Sequence, residues 1–417
     1  MLFTSGSSYT STGLSTARRT NQRRRIYTWV KWALVFAACS IFTFFLVCRV
    51  DVHARVYVRE WLASKTPSTI EPLSNSCFAN VSPTSAYYQG RARYAPSFVP
   101  GVPLWDAQTC YDFAGLVHGR HVPHNRANAN QADEIFFHTY WSSNLTAITD
   151  KQLATWQSFV ATQDANRTHL IVWIAPDDEA TLVDSPQWQT AMAQSRSRLQ
   201  YKTFDVNTMA GNTPLDRLVA QHPLTVKARH EDLLRLFALY HHGGVWFDLD
   251  TLFIRDLMPL LGEEWISQGS CYTSLEGNPF DGALLHFHKQ SPYLCEMLAS
   301  VADQFKVQDG PDRLRITDSA SQQHLEPRTL QSDLYYRIFR RLLHHGIKPW
   351  LVVPWCFTDP SECRRSNSLP SAFAETDFNP RRLSQIFAYH WHQQWDATPG
   401  SIFRHIQTMN EETLLSL

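Results

Sequence analysis

The stretch "EDLLRLFALYHHGGVWFDLD", residues 231–250, restricts the fold of this chain more than any other. Leu233, Leu234, Phe237 and Leu239/Tyr240 recur at helical spacing. Gly243 or Gly244 can stop that helix. "VWF" then reads as a buried strand, and two aspartates one residue apart follow it. A helix that turns through Gly-Gly into a core strand is half of an α/β unit. Carboxylates at i and i+2 on the strand's carboxyl end can face one cation. Mg²⁺ and Mn²⁺ prefer such oxygen ligands. The alternative is a polar turn closing a core strand, since a bare Asp-x-Asp arises often by chance.

The texture on either side supports the α/β reading. "EIFFHTYW" and "HLIVWIAPDD" are short apolar runs ending in polar residues, as buried parallel strands do. "TDKQLATWQSFVATQ" between them has helical spacing, and "LQYKTFDV" reads as a third strand. Ligands of such sheets bind beyond the carboxyl ends of the strands. Asp248 and Asp250 fall there. Asp232 and Arg235 lie one turn apart on the preceding helix, either as part of the same site or as a surface ion pair. His241 and His242 close that helix and read as partners of its C-terminal dipole.

The first 50 residues are different. Residues 1–22 are Ser/Thr-rich and poor in apolar groups. Arg18, Arg19, Arg23, Arg24, Arg25 and Lys31 precede "WALVFAACSIFTFFLVC", which carries no charge. At about 1.5 Å per residue this run just crosses a thin bilayer. The basic flank predicts a cytosolic amino end. A cleaved signal peptide is the rival, disfavoured by the long leader and the Trp- and Phe-rich core. The expected organisation is a tail at 1–31, a transmembrane signal-anchor at 32–50, a stem and adapting segment at 51–132 and a catalytic domain at 133–410. Golgi membrane, or ER, suits the short span.

With 44% hydrophobic and 18% charged residues, the chain has the composition of a folded domain. Its zero formal net charge offers nothing to nucleic acid. Cys77, Cys110, Cys271, Cys295, Cys356 and Cys363 would lie in an oxidising lumen. Cys356 and Cys363, close in sequence, are the first candidate pair. Sequons stand at Asn80, Asn144 and Asn166.

The region "EDLLRLFALYHHGGVWFDLDTLFIRDL" resembles the sugar-binding region of DXD glycosyltransferases, in the order D-x-x-R, L-Y, G-G, D-x-D. With "TPLDRL" upstream, and "DGALLHFHKQSPYL" and "FAYHWHQQW" downstream, residues 130–400 are similar to glycosyltransferase family 32. That family includes fungal Golgi α-mannosyltransferases and the animal globoside α-1,4-galactosyltransferase. The resemblance implies an α/β domain of the GT-A type, binding a nucleotide sugar over a mainly parallel sheet. It implies a retaining transfer of a hexose, galactose or mannose, from a UDP-hexose or GDP-mannose to a glycan or glycolipid, with Mn²⁺ or Mg²⁺.

The resemblance also implies roles for residues. Asp250 matches a direct metal ligand, and Asp248 a carboxylate that contacts ribose and sugar and supports the metal. Asp232 and Arg235 match binders of sugar hydroxyls. His390 matches a C-terminal metal ligand, with His392 as its neighbouring rival. His138, Tyr140 and Trp141 fall where relatives bind the nucleotide. Asp281 stands where many relatives have Asn, and nucleophile, electrostatic stabiliser and hydroxyl binder all stay open for it. "LQSDLYY" departs from a Gly-Pro found in several relatives. Trp391 and Trp395 read as acceptor-site or core residues. Two other classes compete: a metal-dependent phosphodiesterase, which would need a second ligand cluster, and a catalytically silent scaffold of the same fold.

Overall fold

The computed structural model describes residues 14–47, 72–74, 76–89, 107–117, 134–221, 230–269, 280–308, 332–361, 363 and 367–416. The chain divides into two compact units, Met1–Thr69 and Ile70–Leu417. In the first, helix α1 spans Leu14–Val47. Its window Tyr27–Phe44 has a mean hydropathy of 1.3, is exposed throughout, and is long and apolar enough to cross a membrane. This window begins five residues before the run read from sequence.

The second unit is an α/β domain. Its strands are β1 (Ile135–Trp141), β2 (Thr168–Ile174), β3 (Leu199–Thr203), β4 (Gly244–Phe247), β5 (Thr251–Phe253), β6 (Trp265–Gln268), β7 (Phe280–Phe287), β8 (Leu351–Val353) and β9 (Ala388–His390). Seven of them form one sheet in the order β3-β2-β1-β4-β7-β6-β8. All neighbours in it are parallel except those of β7, which runs antiparallel to both β4 and β6. The expected mainly parallel sheet is therefore present. β5 and β9 form a separate antiparallel pair in which Thr251 faces His390.

The helices that matter to the site are α2 (Asp150–Thr162), α3 (His230–His242), α4 (Pro292–Gln308), α5 (Ser332–His344), α6 (Trp355–Thr358) and α7 (Ser401–Ser416). Strand side chains alternate between two cores. Phe137, Trp141, Leu170, Val172, Val245 and Phe247 pack on one side with Trp156 and Phe159 of α2. Ile171, Trp173 and Trp246 pack on the other with Leu233, Leu234 and Phe237 of α3. A Thr149–Gln152 capping box starts α2.

The two glycines that open β4 are sterically required. Gly243 ends α3 at φ +69°, and Gly244 follows at φ +98°, both in the left-handed region that favours glycine. A Cβ on Gly244 would lie 1.9 Å from the Phe136 carbonyl oxygen of β1, and one on Gly243 2.5 Å from the Lys289 nitrogen. The helix can thus reverse directly into the sheet next to β1.

The cysteines correct one expectation. Cys356 pairs with Cys110, not Cys363, and Cys77 pairs with Cys295. Cys363 is also disulfide-bonded. Proximity in sequence misled because residues 77 and 110 return to the domain, across separations of 218 and 246 residues. The described parts of 72–117 are therefore stapled within the large unit, Ile70–Leu417. Cys271 lies outside the described residues. Asn80, Asn144 and Asn166 are all exposed.

Candidate active site

Four chain segments meet beyond the carboxyl end of β4. Asp248 leaves the strand with its backbone N–H on the Ala283 carbonyl at 2.8 Å. Its Oδ1 accepts from Arg235 Nη2 at 3.0 Å and from Trp246 Nε1 at 2.8 Å. The guanidinium of Arg235, itself buried, also lies over the Trp246 ring and reaches the Tyr335 hydroxyl at 3.5 Å. Arg235 thus braces Asp248 from one helical turn beyond Asp232, which is half-buried in the first turn of α3. Gly282 makes this bracing possible, because a Cβ there would lie 2.5 Å from Arg235 Nη1.

Asp250 is 1% exposed. Its Oδ2 meets His390 Nε2 at 3.1 Å and accepts the Gln393 backbone N–H at 2.6 Å, while its carbonyl accepts from Trp391 N–H at 3.0 Å. His390 comes from β9, 140 residues later. The β5–β9 pairing sets it opposite Thr251 and so beside Asp250. After β9, His392 and Gln393 adopt φ +56° and +52°. This tight loop is what aims the Gln393 N–H at the carboxylate. Lys151 of α2 holds the loop from below, donating to the carbonyls of Gln394, at 2.9 Å, and Trp395.

Asp281 joins from β7. Its Oδ1 accepts the Ala283 N–H at 3.1 Å and its Oδ2 lies 3.7 Å from His390 Nδ1. Asp359, at the end of α6, faces the same ring at 3.9 Å and pairs with His392 at 2.9 Å. Four carboxylates thus surround two histidines.

The electrostatics follow from burial and pairing. Burial pushes the Asp248 carboxyl above its ordinary range, against the pull of Arg235. Burial would raise Asp250 too, but His390 and the Gln393 N–H outweigh it and hold it below. Burial opposes charge on His390, yet Asp250 foremost holds that ring well above its ordinary value. Burial raises Asp281.

The donor set suits a divalent cation. Ligand atoms of Asp248, Asp250 and His390 lie within 4.8 Å of one another, and so do those of Asp359, His390 and His392. Two hard carboxylates with one imidazole are compatible with Mn²⁺ or Mg²⁺.

Of the residues expected at the nucleotide, two lie in the core instead. His138 is fully buried. Its Nδ1 accepts from Trp173 Nε1 at 3.2 Å, which leaves Nε2 to donate to the Gly243 carbonyl at 3.0 Å. Trp141 is 1% exposed, and its Nε1 donates to the Thr146 carbonyl at 3.1 Å. The two sit on opposite faces of β1, and both faces of the sheet are covered by core. Tyr140 stays half-buried at the strand end. Near it, Asp178, 4% exposed, accepts from Ser143 Oγ. Trp391 is buried, packed edge-on against Trp395 and Phe373. His242 is not a charged dipole partner: burial pushes it down to about 4. His241 meets the Met209 carbonyl at 2.6 Å.

Sequence reasoning missed Asp359, Lys151, Trp246 and the Gln393 N–H. Trp246 was legible as the neighbour of Asp248 on the same strand face, since i and i+2 share a side. The other three act across separations that no local pattern records.

Residues 140–268 match the family model described as a glycosyltransferase sugar-binding region containing DXD motif. No curated protein matches the chain by sequence. Among solved structures, the chain is similar to a PaToxG glycosyltransferase at 14% identity, over 57% of this chain and 91% of that one, with a TM-score of 0.30. It is similar to the galactosyltransferase LgtC, solved with donor and acceptor sugar analogues, at 13% identity, covering 68% and 96%, with a TM-score of 0.33. It is similar to the glycosyltransferase GlyE of Streptococcus pneumoniae TIGR4 at 9% identity, covering 68% and 62%, with a TM-score of 0.35. With the matched region spanning Arg235, Asp248 and Asp250, the chain is a glycosyltransferase carrying a DXD-type sugar-binding region.

Proposed function

We propose that this protein is a membrane-anchored, metal-dependent hexosyltransferase of the GT-A type. It moves galactose or mannose from a nucleotide sugar to a glycan or glycolipid with retention, forming an α-glycosidic bond. The observation that carries this reading is the meeting of Asp248, Asp250 and His390 from segments 140 residues apart.

In this reading Asp250 and His390 hold Mn²⁺, or Mg²⁺, with Asp248 beside them. The ion, when bound, supplies Lewis-acid stabilisation of the departing diphosphate. The chain's own groups do the rest. Arg235 and Trp246 fix Asp248 through one oxygen, which leaves Oδ2 for ribose or sugar hydroxyls. Asp232, in the first turn of α3, suits a further sugar hydroxyl. Asp281 presents a carboxylate beside His390 and suits electrostatic stabilisation of an oxocarbenium-like centre. Tyr140 and Asp178, at the ends of β1 and β2, suit the nucleoside.

The location rests on separate support. The Tyr27–Phe44 window suits a signal-anchor. Cys77–Cys295 and Cys110–Cys356 suit an oxidising lumen, and the cysteine left free among the described residues, Cys39, sits in that window. A Golgi membrane with the catalytic domain lumenal fits all three.

The test is a donor-hydrolysis screen on the full chain in detergent with UDP-galactose, UDP-glucose, UDP-N-acetylglucosamine and GDP-mannose, with and without Mn²⁺. Turnover of one donor, lost in D250N, is the expected result. Product anomericity by NMR then reads retention. No turnover of any donor, together with no nucleotide binding, would leave the scaffold reading standing instead.

A further inference from the structure

One buried group at the site has no task in the mechanism above. Asp359 is 2% exposed. Its Oδ1 pairs with His392 Nε2 at 2.9 Å. Its Oδ2 makes no hydrogen bond among the described residues and faces His390 Nδ1 at 3.9 Å. An unpartnered buried polar atom costs about 1–3 kcal/mol, more when charged. An oxygen left in that state beside a functional ring is held in reserve for a donor.

His390 is the donor within reach. Its Nε2 faces Asp250, while its Nδ1 is buried and makes no hydrogen bond among the described residues. An imidazole that offers the Nε2 lone pair to a cation carries its proton on Nδ1, and that N–H needs an acceptor. Two carboxylates compete for it. Asp281 Oδ2 is the nearer at 3.7 Å, but its side chain is 26% exposed and open to water. Asp359 is enclosed, and a ring shift of under about 1 Å brings Nδ1 into hydrogen-bonding range of its Oδ2.

The placement of Asp359 is also rigid. Its backbone N–H bonds the Trp355 carbonyl at 2.7 Å. The Phe387 N–H, just before β9, bonds the Phe357 carbonyl of α6 at 2.9 Å. Cys356 staples the same helix to Cys110. The acceptor and the strand carrying His390 are therefore locked together.

We propose that Asp359 is a positioning residue that accepts the Nδ1–H of His390 and so fixes the tautomer whose Nε2 faces a cation at Asp248 and Asp250. This rests on the cation reading of the site. Asp359, His390 and His392 are also close enough to ligate an ion themselves, so the test separates positioning from ligation.

Mn²⁺ binding to the full chain in detergent, read by EPR of free aqueous Mn²⁺, is compared for wild type, D359N, D281N, H390Q and D359N/H390Q. The expected result is binding weakened roughly 10- to 100-fold in D359N, a smaller loss in D281N, and a double variant no weaker than H390Q alone. Affinity in D359N within about threefold of wild type overturns the proposal. So does an equal loss when D359N is added to H390Q, which would make Asp359 a ligand, and so does a D281N loss matching that of D359N. Wild type without saturable Mn²⁺ binding would overturn the cation reading and this proposal with it. Should D359N fail to fold, imidazole ¹⁵N NMR of the wild type with Mg²⁺ decides, with H390Q assigning the signal. An Nδ1–H tautomer of His390 supports the proposal, and a persistent Nε2–H tautomer overturns it.

Discussion

The two halves of the charged cluster are built by different means. The β4 half, from Arg235 to Asp250, is one continuous segment locked by apolar packing and by glycines that admit no side chain. The β9 half, from His390 to Trp395, is a left-handed loop held by polar anchors: Lys151 below, Asp250 in front and Asp359 behind. The first half cannot change without disturbing the sheet. The second is expected to loosen while the domain stays folded. A site assembled this way separates scaffold from adjustment, and substitutions on the two sides should fail differently.

The largest effect is expected at Gly244. G244A drives a Cβ into the Phe136 carbonyl at 1.9 Å and forces alanine to φ +98°. A loss on the order of 4 kcal/mol or more follows. Thermal melting should show the transition displaced or absent. A variant that melts like wild type would break the claim that the β4 half is sterically locked.

D250N comes next, and it falls at the junction of the halves. Donor turnover should drop at least about 100-fold. The melting temperature should stay within about 5 °C, because the apolar packing around β4 is untouched. Turnover retained in D250N would remove the site from this cluster altogether.

Acid should find the scaffold half before the loop. Burial pushes His138 down to about 3 and His286 to about 4. An unfolded histidine titrates near 6.5, so the unfolded chain binds more protons than the folded one between these values. Stability is therefore full above pH 6.5 and falls as pH drops towards 3, by up to about 1.4 kcal/mol per pH unit for each ring. H138Q should be less stable at pH 7, since it loses the Trp173–His138–Gly243 relay, yet lose less on going to pH 4.5. Denaturant melts at the two pH values measure this. An unchanged acid slope in H138Q would place the sensitivity elsewhere.

The same division explains what was legible in the sequence. The β4 half lies within 20 residues, and helical period, Gly-Gly and Asp-x-Asp all agree there, so Arg235, Asp248 and Asp250 could be placed together. Strands β1 to β4 were legible for the same reason, because each carries its own apolar run, whereas β6, β7 and β8 of the same sheet were not read from the sequence. The burial of His138 and Trp141 was not legible, because a core strand and a ligand-binding strand end look alike until the chain has covered both faces of the sheet. The β9 half was legible only where the resemblance to a family pointed at His390. Asp359 and Lys151 reach the loop from 31 and more than 200 residues away, and the disulfide partners of Cys77 and Cys110 lie as far off. No local period or spacing encodes such contacts. They exist only once the chain has closed.

Lys151 offers the smallest and most discriminating effect. Its side chain is 7% exposed, and its ammonium serves two loop carbonyls while lying over the rings of Phe373 and Trp391. Burial lowers its pKa. K151M keeps the apolar stem, and with it most of the packing, but removes the donors. If the loop is held mainly by these bonds, the Gln393 N–H and His390 lose their aim at Asp250. Mn²⁺ affinity should then fall about tenfold, equivalent to roughly 1.4 kcal/mol, while the acid slope set by His138 stays as in wild type. K151R keeps the charge in a larger planar head and should fall between the two. Titration of Mn²⁺ against the three proteins, with melting curves alongside, reads both quantities. Weakened Mn²⁺ binding at constant stability marks the loop as an independently adjustable half. A fall in stability with unchanged Mn²⁺ affinity would make Lys151 part of the scaffold, and the contrast between the two halves would then lie in packing alone.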